Sequence, residues 1–263
     1  MNVISLSPVD LSIAAALVLI VALLQWKMRL GNVTSLLIAA TRTVVQLMLL
    51  GLVLKYVFAA NSLIWIAVMA SVMLLAAGRE VMVRQKRRFS GSWGYLVGTS
   101  SMFVSAFSIT VLALLVIVQP EPWYLPQYAI PLLGMLLGNT LNGITLAVDN
   151  LTRNSWEQKP VIEGRLALGE TWKQAISDIR RDSIRVGMIP IINAMSVAGL
   201  VSLPGMMTGQ ILAGTPPVEA VKYQVLIMFL IAAGTGFGTI TAVVIGCHRL
   251  FDERERLRLE RLT

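Results

Sequence analysis

Seven long apolar stretches constrain this chain more than any other feature of its sequence. Each has about 20 residues or more, the length that an α-helix needs to cross the hydrocarbon core of a bilayer. Backbone N–H and C=O groups find no water in lipid, and the stretches are too long for barrel strands, so they predict helices. They run roughly over residues 8 to 26, 33 to 58, 62 to 82, 92 to 118, 126 to 148, 187 to 213 and 219 to 247.

The composition also indicates a protein surrounded by lipid. Hydrophobic residues make up 56% of the chain, charged residues 14%, and the mean hydropathy is +0.73. A soluble domain could not bury that much apolar surface. We therefore expect an all-α polytopic membrane bundle of about seven transmembrane helices, formed by residues 1–263 as a single transmembrane domain.

The positions of the basic residues predict the orientation of these helices. Of the 22 Lys and Arg residues, 19 lie in alternate connections or in the C-terminal tail, and the connections near Asn61, Glu121 and Thr215 carry none. Because Lys and Arg accumulate in cytoplasmic connections, the N-terminus is expected outside and the C-terminus inside. We therefore interpret the net charge of +8 as charge on cytoplasmic connections that orients the helices, and not as a nucleic-acid-binding face.

The sixth stretch is too long for one straight span, because residues 187 to 213 would form about 40 Å of helix. Pro204-Gly205 is expected to interrupt it with a kink, an unwound turn or a re-entrant segment, and the charge pattern leaves these options open. Unwound backbone at membrane depth is tolerated where it lines a cavity. Pro204, Gly205, Met206 and Met207 are therefore candidates for a translocation path, although methionine is also a common packing residue.

Polar side chains within the apolar stretches are the other candidates for the path. They are costly in lipid, so each needs a reason to be there. One reason is a path or gate for a solute; the other is hydrogen bonding between helices, and the sequence leaves both open. These residues are Arg42, Gln46, Asn139, Asn142 and Asn193.

The stretches offer little that could perform catalysis. They contain no histidine and no pair of a nucleophile with a base, so no catalytic residue and no enzyme activity is predicted. Cys247 and His248 are adjacent at the end of the last stretch, but two neighbouring side chains cannot enclose a metal ion. The location of any metal site stays unknown.

One long polar segment, residues 150–186, separates the fifth and sixth stretches and is expected in the cytoplasm. A first helix is predicted from about Ser155 through Leu168, with Gly169 as its C-terminal stop. A second helix is predicted to start after Thr171 as its N-cap. Its apolar face would consist of Trp172, Ala175, Ile176 and Ile179.

The spacing of Glu163, Gly169 and Ile179 resembles the Glu-Ala-Ala…Gly…Ile pattern of ABC-transporter permeases, in which this loop docks on the ATPase. Gly164-Arg165 replaces the two alanines, and Arg181-Asp182 replaces a Leu-Pro pair. Five longer blocks also carry a resemblance: "RTVVQLMLLGLVLKYVF", "IPLLGMLLGNTLNG", "RDSIR", "VAGLVSLPGMMTG" and "AVKYQ". They are similar to the Fet-type iron-export ABC permease family and to plant permeases linked to aluminium tolerance.

The resemblance implies a permease subunit that exports iron or a related metal and takes its energy from a separate ATP-binding subunit. ATP and Mg would bind in that partner, since this chain has no Gly-rich phosphate loop ending in Gly-Lys-Ser/Thr. The resemblance also implies a homodimer of this chain in a bacterial inner membrane. In the coupling loop, Glu163 would meet a basic partner residue, while Ile176 and Ile179 would supply apolar contact.

Two other classes of function remain open on the sequence. A secondary transporter or channel would need its own coupling site, usually acidic groups at membrane depth, whereas Glu80, Asp149 and Glu219 lie at the ends of the stretches. A membrane scaffold that transports nothing would not need polar groups inside the spans. A co-purifying ATPase would distinguish a permease from both.

Overall fold

The computed structural model describes residues 7–60 and 62–263, which form eleven α-helices without a regular β-strand. Asn61, used above as a marker of an outer connection, lies outside the described residues. The all-α fold class is confirmed. The helices are α1 Pro8–Lys27, α2 Val33–Ala60, α3 Leu63–Val83, α4 Trp93–Met102, α5 Ser108–Leu112, α6 Pro126–Glu157, α7 Lys159–Ala167, α8 Trp172–Ala175, α9 Ser177–Val197, α10 Gly205–Leu212 and α11 Pro217–Leu250.

The described chain divides into two compact units. One unit contains α1, which packs against α2, and also includes Leu212–Gly214. The other unit contains α3 to α9, most of α10, and α11 with the C-terminal tail. That the whole chain acts as a single transmembrane domain stays a prediction.

Six helical segments in the described residues are long and apolar enough to cross a membrane. They correspond to the first five apolar stretches and the last one. The fourth is a continuous helical run: the π-helical segment Phe103–Phe107 joins α4 to α5, and a second one, Ala113–Val118, extends α5. The protein is therefore an integral membrane protein. A count of seven spans and the outward orientation of the N-terminus stay predictions.

The sixth stretch is the one that the structure interrupts. α9 ends at Val197, the chain turns through Ala198–Pro204, and the short α10 begins at Gly205. An isolated parallel bridge between Ala198 and Ser202 and a positive φ of 81° at Gly199 shape this turn. The predicted break is thus confirmed.

Three helices form the centre of the larger unit, where α6 packs against α9 and α11 packs against both. The backbones of α6 and α9 meet at two glycines: a Cβ atom on Gly187 would lie 2.7 Å from the Gly143 carbonyl oxygen and 2.7 Å from Thr239 Cγ2 of α11. Only hydrogen fits there. Because lipid tails are as apolar as the side chains, such close contact between small residues is a main source of helix association in membranes.

We expect Gly187→Val to destabilise the protein by about 1–3 kcal/mol, because the added methyl groups must push α6 and α11 away. Gly138→Val is the matched control, since nothing lies within 4 Å of a Cβ at this α6 position. Thermal unfolding in detergent measures the difference. Equal stability of the two variants would contradict the close contact.

Candidate functional site

The 150–186 loop begins as a continuation of α6. This helix runs to Glu157, and a separate helix, α7, follows at Lys159. The prediction of one helix over Ser155 to Leu168 is therefore wrong. The reason is Pro160, which has no N–H to donate to the carbonyl of Trp156 and so cannot continue α6.

The local stop and start signals of the loop are confirmed. Gly169 has φ +90°, and after it the N–H of Glu170 donates to the carbonyl of Arg165 over 3.1 Å, which closes the end of α7. Thr171 is the N-cap of α8, and its backbone N–H donates to Gln174 Oε1 over 3.0 Å. The chain therefore reverses between α7 and α8 within four residues, Leu168 to Thr171.

Arg165 fastens the two sides of this reversal together. Its guanidinium lies 3.0 Å from Asp178 at the start of α9 and 3.9 Å from Glu170. It also donates to the carbonyl of Ala175 over 3.4 Å. Arg165, one of the two residues that depart from the Glu-Ala-Ala pattern, thus stabilises the shape of the loop.

The surface of the loop differs from the expected one. Ile176 is completely buried and Ile179 is 5% exposed, so both pack inside this chain, and the expectation that they contact an ATPase is wrong. The helical spacing of apolar residues in a sequence does not show whether their face packs against the chain's own helices or against a partner. Val161 and Leu168 are the exposed large apolar residues of α7 and its end, with Leu168 88% exposed.

Glu163 is exposed, as expected, and its nearest charged partner is Lys159, 3.7 Å away on the same helix. An exposed pair one helical turn apart stabilises by only about 0.3–0.5 kcal/mol. The carboxylate can therefore exchange this contact for a basic group on another protein at little cost.

The polar residues within the spans lie on exposed faces. In the first unit, Arg42 and Gln46 are both exposed on α2. In the second unit, Asn139 donates to the carbonyl of Met135 over 2.8 Å, and Asn142 accepts from Arg84 Nη1 over 3.3 Å. Asn193 is exposed on α9. Neither hydrogen bond joins two helices within the membrane core. Asn139 bonds to Met135 of its own helix, α6, and Arg84, the partner of Asn142, follows the end of α3.

A cavity of about 460 Å³ lies beside the interrupted helix. Gln224 of α11 is 8% exposed there, and its Oε1 accepts no hydrogen bond within the described residues. Met206 is half-buried next to the cavity-lining Met207. The lining residues are Met195, Ala198, Gly199, Leu203, Pro204, Met207, Val221, Gln224, Val225, Met228 and Phe229.

The described residues contain no group of three or more His, Cys, Asp or Glu side chains that could hold a metal ion. A solute in the cavity would meet thioethers, one amide, the aromatic ring of Phe229 and aliphatic side chains. The arrangement therefore suits passage or transient contact better than tight binding of a hard cation.

A protein-family model described as "Uncharacterised protein family (UPF0014)" matches residues 8–251. The chain belongs to the UPF0014 family. A UPF0014 membrane protein of Synechocystis sp., slr1647, is 40% identical over 90% of both chains. No solved structure matches the chain.

Two further relatives bear names that concern metals. The probable iron export permease protein FetB of Escherichia coli is 31% identical over 100% of this chain and 99% of its own. Protein ALUMINUM SENSITIVE 3 of Arabidopsis thaliana is 28% identical over 93% of this chain and 88% of its own. The resemblance to Fet-type permeases and to plant aluminium-tolerance permeases is confirmed.

Of the predicted site residues, the structure of this UPF0014 protein brings Pro204 and Met207 together at one cavity and leaves Arg42 and Gln46 in the other unit. Met195, Gln224 and Met228 were not predicted. Gln224 carried a usable signal, since it is an amide within an apolar stretch. The two methionines carried none, because a single sequence does not show which of its 13 methionines face one space.

We expect Gly205→Leu to stop transport and leave folding intact. Gly205 starts α10 directly after the cavity-lining Pro204, and nothing lies within 4 Å of a Cβ there, so the larger side chain fits without a clash while it restricts the backbone of the turn beside the cavity. Transport by cells and thermal unfolding of the purified variant are the two readouts. Normal export by Gly205→Leu would show that this turn is only a packing feature.

Proposed function

We propose that this chain is the membrane-spanning permease subunit of an ABC transporter that exports iron or a related metal from the cytoplasm. ATP would be hydrolysed, with Mg, by a separate ATP-binding subunit. The observation that carries the proposal is the full-length similarity to the probable iron export permease protein FetB of Escherichia coli, 31% identical over 268 residues. We further propose a homodimer of this chain in a bacterial inner membrane, with a role in metal homeostasis.

The structure supports a mechanical route from the loop to the cavity. α9 starts at the loop, where Asp178 is paired with Arg165, and ends at Val197, directly before the turn that lines the cavity. Its 21 residues form one uninterrupted helix of about 31 Å, with Pro190 inside it. A partner that moves the loop would therefore displace the helix that leads to the cavity wall.

The partner would contact the outer surface of α7. Leu168 and Val161 supply exposed apolar area, which the buried Ile176 and Ile179 do not supply. Glu163 is an exposed carboxylate on another side of the same helix, about 200° around its axis from Val161. The cleft on the ATP-binding subunit would therefore enclose α7, with apolar contact at Val161 and Leu168 and a basic group facing Glu163.

Affinity capture of the tagged chain from its native membrane tests the proposal. An ATP-binding subunit is expected to co-purify in near-equal amount. Capture of the intact chain without any ATPase would remove the basis for a permease and favour a secondary transporter, a channel or a scaffold.

We expect Gly169→Val to uncouple the two subunits. A β-branched residue at φ +90° is strained by about 1–2 kcal/mol or more, so the reversal between α7 and α8 must change shape. ATPase binding should weaken several-fold and metal-stimulated ATP hydrolysis should fall, while membrane insertion stays normal.

Gly51→Val is the matched control for this variant. Gly51 lies within α2, outside the loop, has open space around its Cβ position and is not at a positive φ. Reconstituted vesicles containing both subunits allow the comparison. Wild-type coupling in Gly169→Val would count against a docking role for the loop.

A further inference from the structure

The C-terminal segment is folded against the rest of the chain. Beyond Leu250, Phe251 and Leu257 form an isolated antiparallel bridge. Asp252 closes the turn between them, because its Oδ1 accepts from the backbone N–H groups of Arg254 at 3.0 Å and Arg256 at 2.9 Å. These contacts, with the Arg256 N–H as the largest cause, lower the pKa of Asp252 to about 2. We call Asp252–Arg258 the C-terminal turn.

The residues that follow this turn are anchored to the connection between α3 and α4. Thr263 donates to the carbonyl of Arg88 over 2.8 Å and accepts from the Arg88 N–H over 3.1 Å. Leu259 and Leu262 are buried, and Leu262 bridges to the buried Phe89. The C-terminal turn is thus held at both ends, by α11 on one side and by this anchor on the other.

The C-terminal turn also holds the 150–186 loop. Glu255 Oε2 accepts from the backbone N–H of Trp172, the first residue of α8, over 2.9 Å. The Trp172 ring stacks on Phe251 with centroids 5.4 Å apart and meets the edge of His248 at 4.8 Å. The start of α8 is therefore fixed to the end of α11.

Between α7 and the C-terminal turn lies a groove of about 470 Å³. It is strongly polar and carries both signs of charge, with three guanidinium groups from the turn and carboxylates from both walls. Its lining residues are Glu163, Leu166, Glu170, Arg254, Glu255, Arg256, Leu257, Arg258 and Glu260.

We propose that the C-terminal turn is the second wall of the docking site for the ATP-binding subunit, and that Glu255 is a positioning residue for the loop. This inference rests on the proposed function. The groove is continuous with the docking surface already assigned to α7, since Glu163 belongs to both. Its mixed charges fit a partner segment that presents acidic and basic side chains together, such as the surface of a soluble nucleotide-binding protein.

The test uses the full-length chain in lipid nanodiscs and the ATP-binding subunit captured with the wild-type protein. Arg254→Glu reverses a charge of the groove, while the turn itself depends on the Arg254 backbone N–H, which is kept. We expect it to weaken ATPase binding at least ten-fold. Arg29→Glu, a reversal in the connection between α1 and α2 and outside this groove, should bind as the wild type does.

Glu255 is tested by a pair of variants. Glu255→Ala removes the acceptor for the Trp172 N–H and should weaken binding about ten-fold, whereas Glu255→Gln keeps an acceptor oxygen and should stay within about three-fold of wild type. Glu253→Ala, an exposed neighbouring carboxylate that does not line the groove, is the control. Thermal unfolding checks that each variant is folded.

The outcomes separate the two proposals. If no ATP-binding subunit is captured with the wild-type chain, the proposed function and this inference both fail. If one binds the wild type, and folded Arg254→Glu and Glu255→Ala bind it equally well, only the role of the C-terminal turn is overturned. If Glu255→Gln and Glu255→Ala weaken ATPase binding equally, the Glu255 charge contacts the partner directly. That result would contradict the positioning role of Glu255.

Discussion

The close contact of α6 and α9 at Gly143 and Gly187 is the interaction on which the rest of the structure depends. The two backbones approach so closely that a Cβ on either glycine would lie within 2.8 Å of the other's carbonyl oxygen. In lipid, association of helices gains little from hydrophobic burial and depends on such contacts. Because α6 and α9 also carry the two ends of the 150–186 loop, their fixed spacing determines the shape of the loop.

This arrangement connects the two ends of the larger unit. The cavity beside Pro204 lies at the far end of α9, and the reversal at Gly169 lies before its near end. Arg165 ties α7 to the start of α9, and Glu255 ties α8 to the end of α11. The loop is thus attached both to the start of α9 and to the segment that follows α11.

The sequence predicted those features that depend on neighbouring residues. Membrane-spanning helices follow from the length of apolar runs, and the stop at Gly169 and the cap at Thr171 follow from local backbone preferences. The break near Pro204 was foreseen for the same reason. Pro160 carried an equally local signal, and the helix predicted over Ser155 to Leu168 ignored it.

Features that depend on distant contacts could not be read from one sequence. Ile176 and Ile179 have the spacing of an apolar face, but whether that face meets a partner or the chain's own core depends on the packing of the larger unit, which buries them. The attachment of the C-terminal segment to Arg88 joins residues 175 positions apart. The methionines around the cavity come from three separate parts of the chain.

The proposed export requires this chain to move a metal with energy from a partner that acts on the 150–186 loop. The most direct measurement is the uptake of radioactive iron into vesicles that contain both subunits, with the loop facing outward and ATP with Mg added outside. We expect iron accumulation that requires ATP hydrolysis and both subunits. Accumulation by this chain without the ATP-binding subunit, or ATP hydrolysis by the complex without any movement of iron or a related metal, would contradict it.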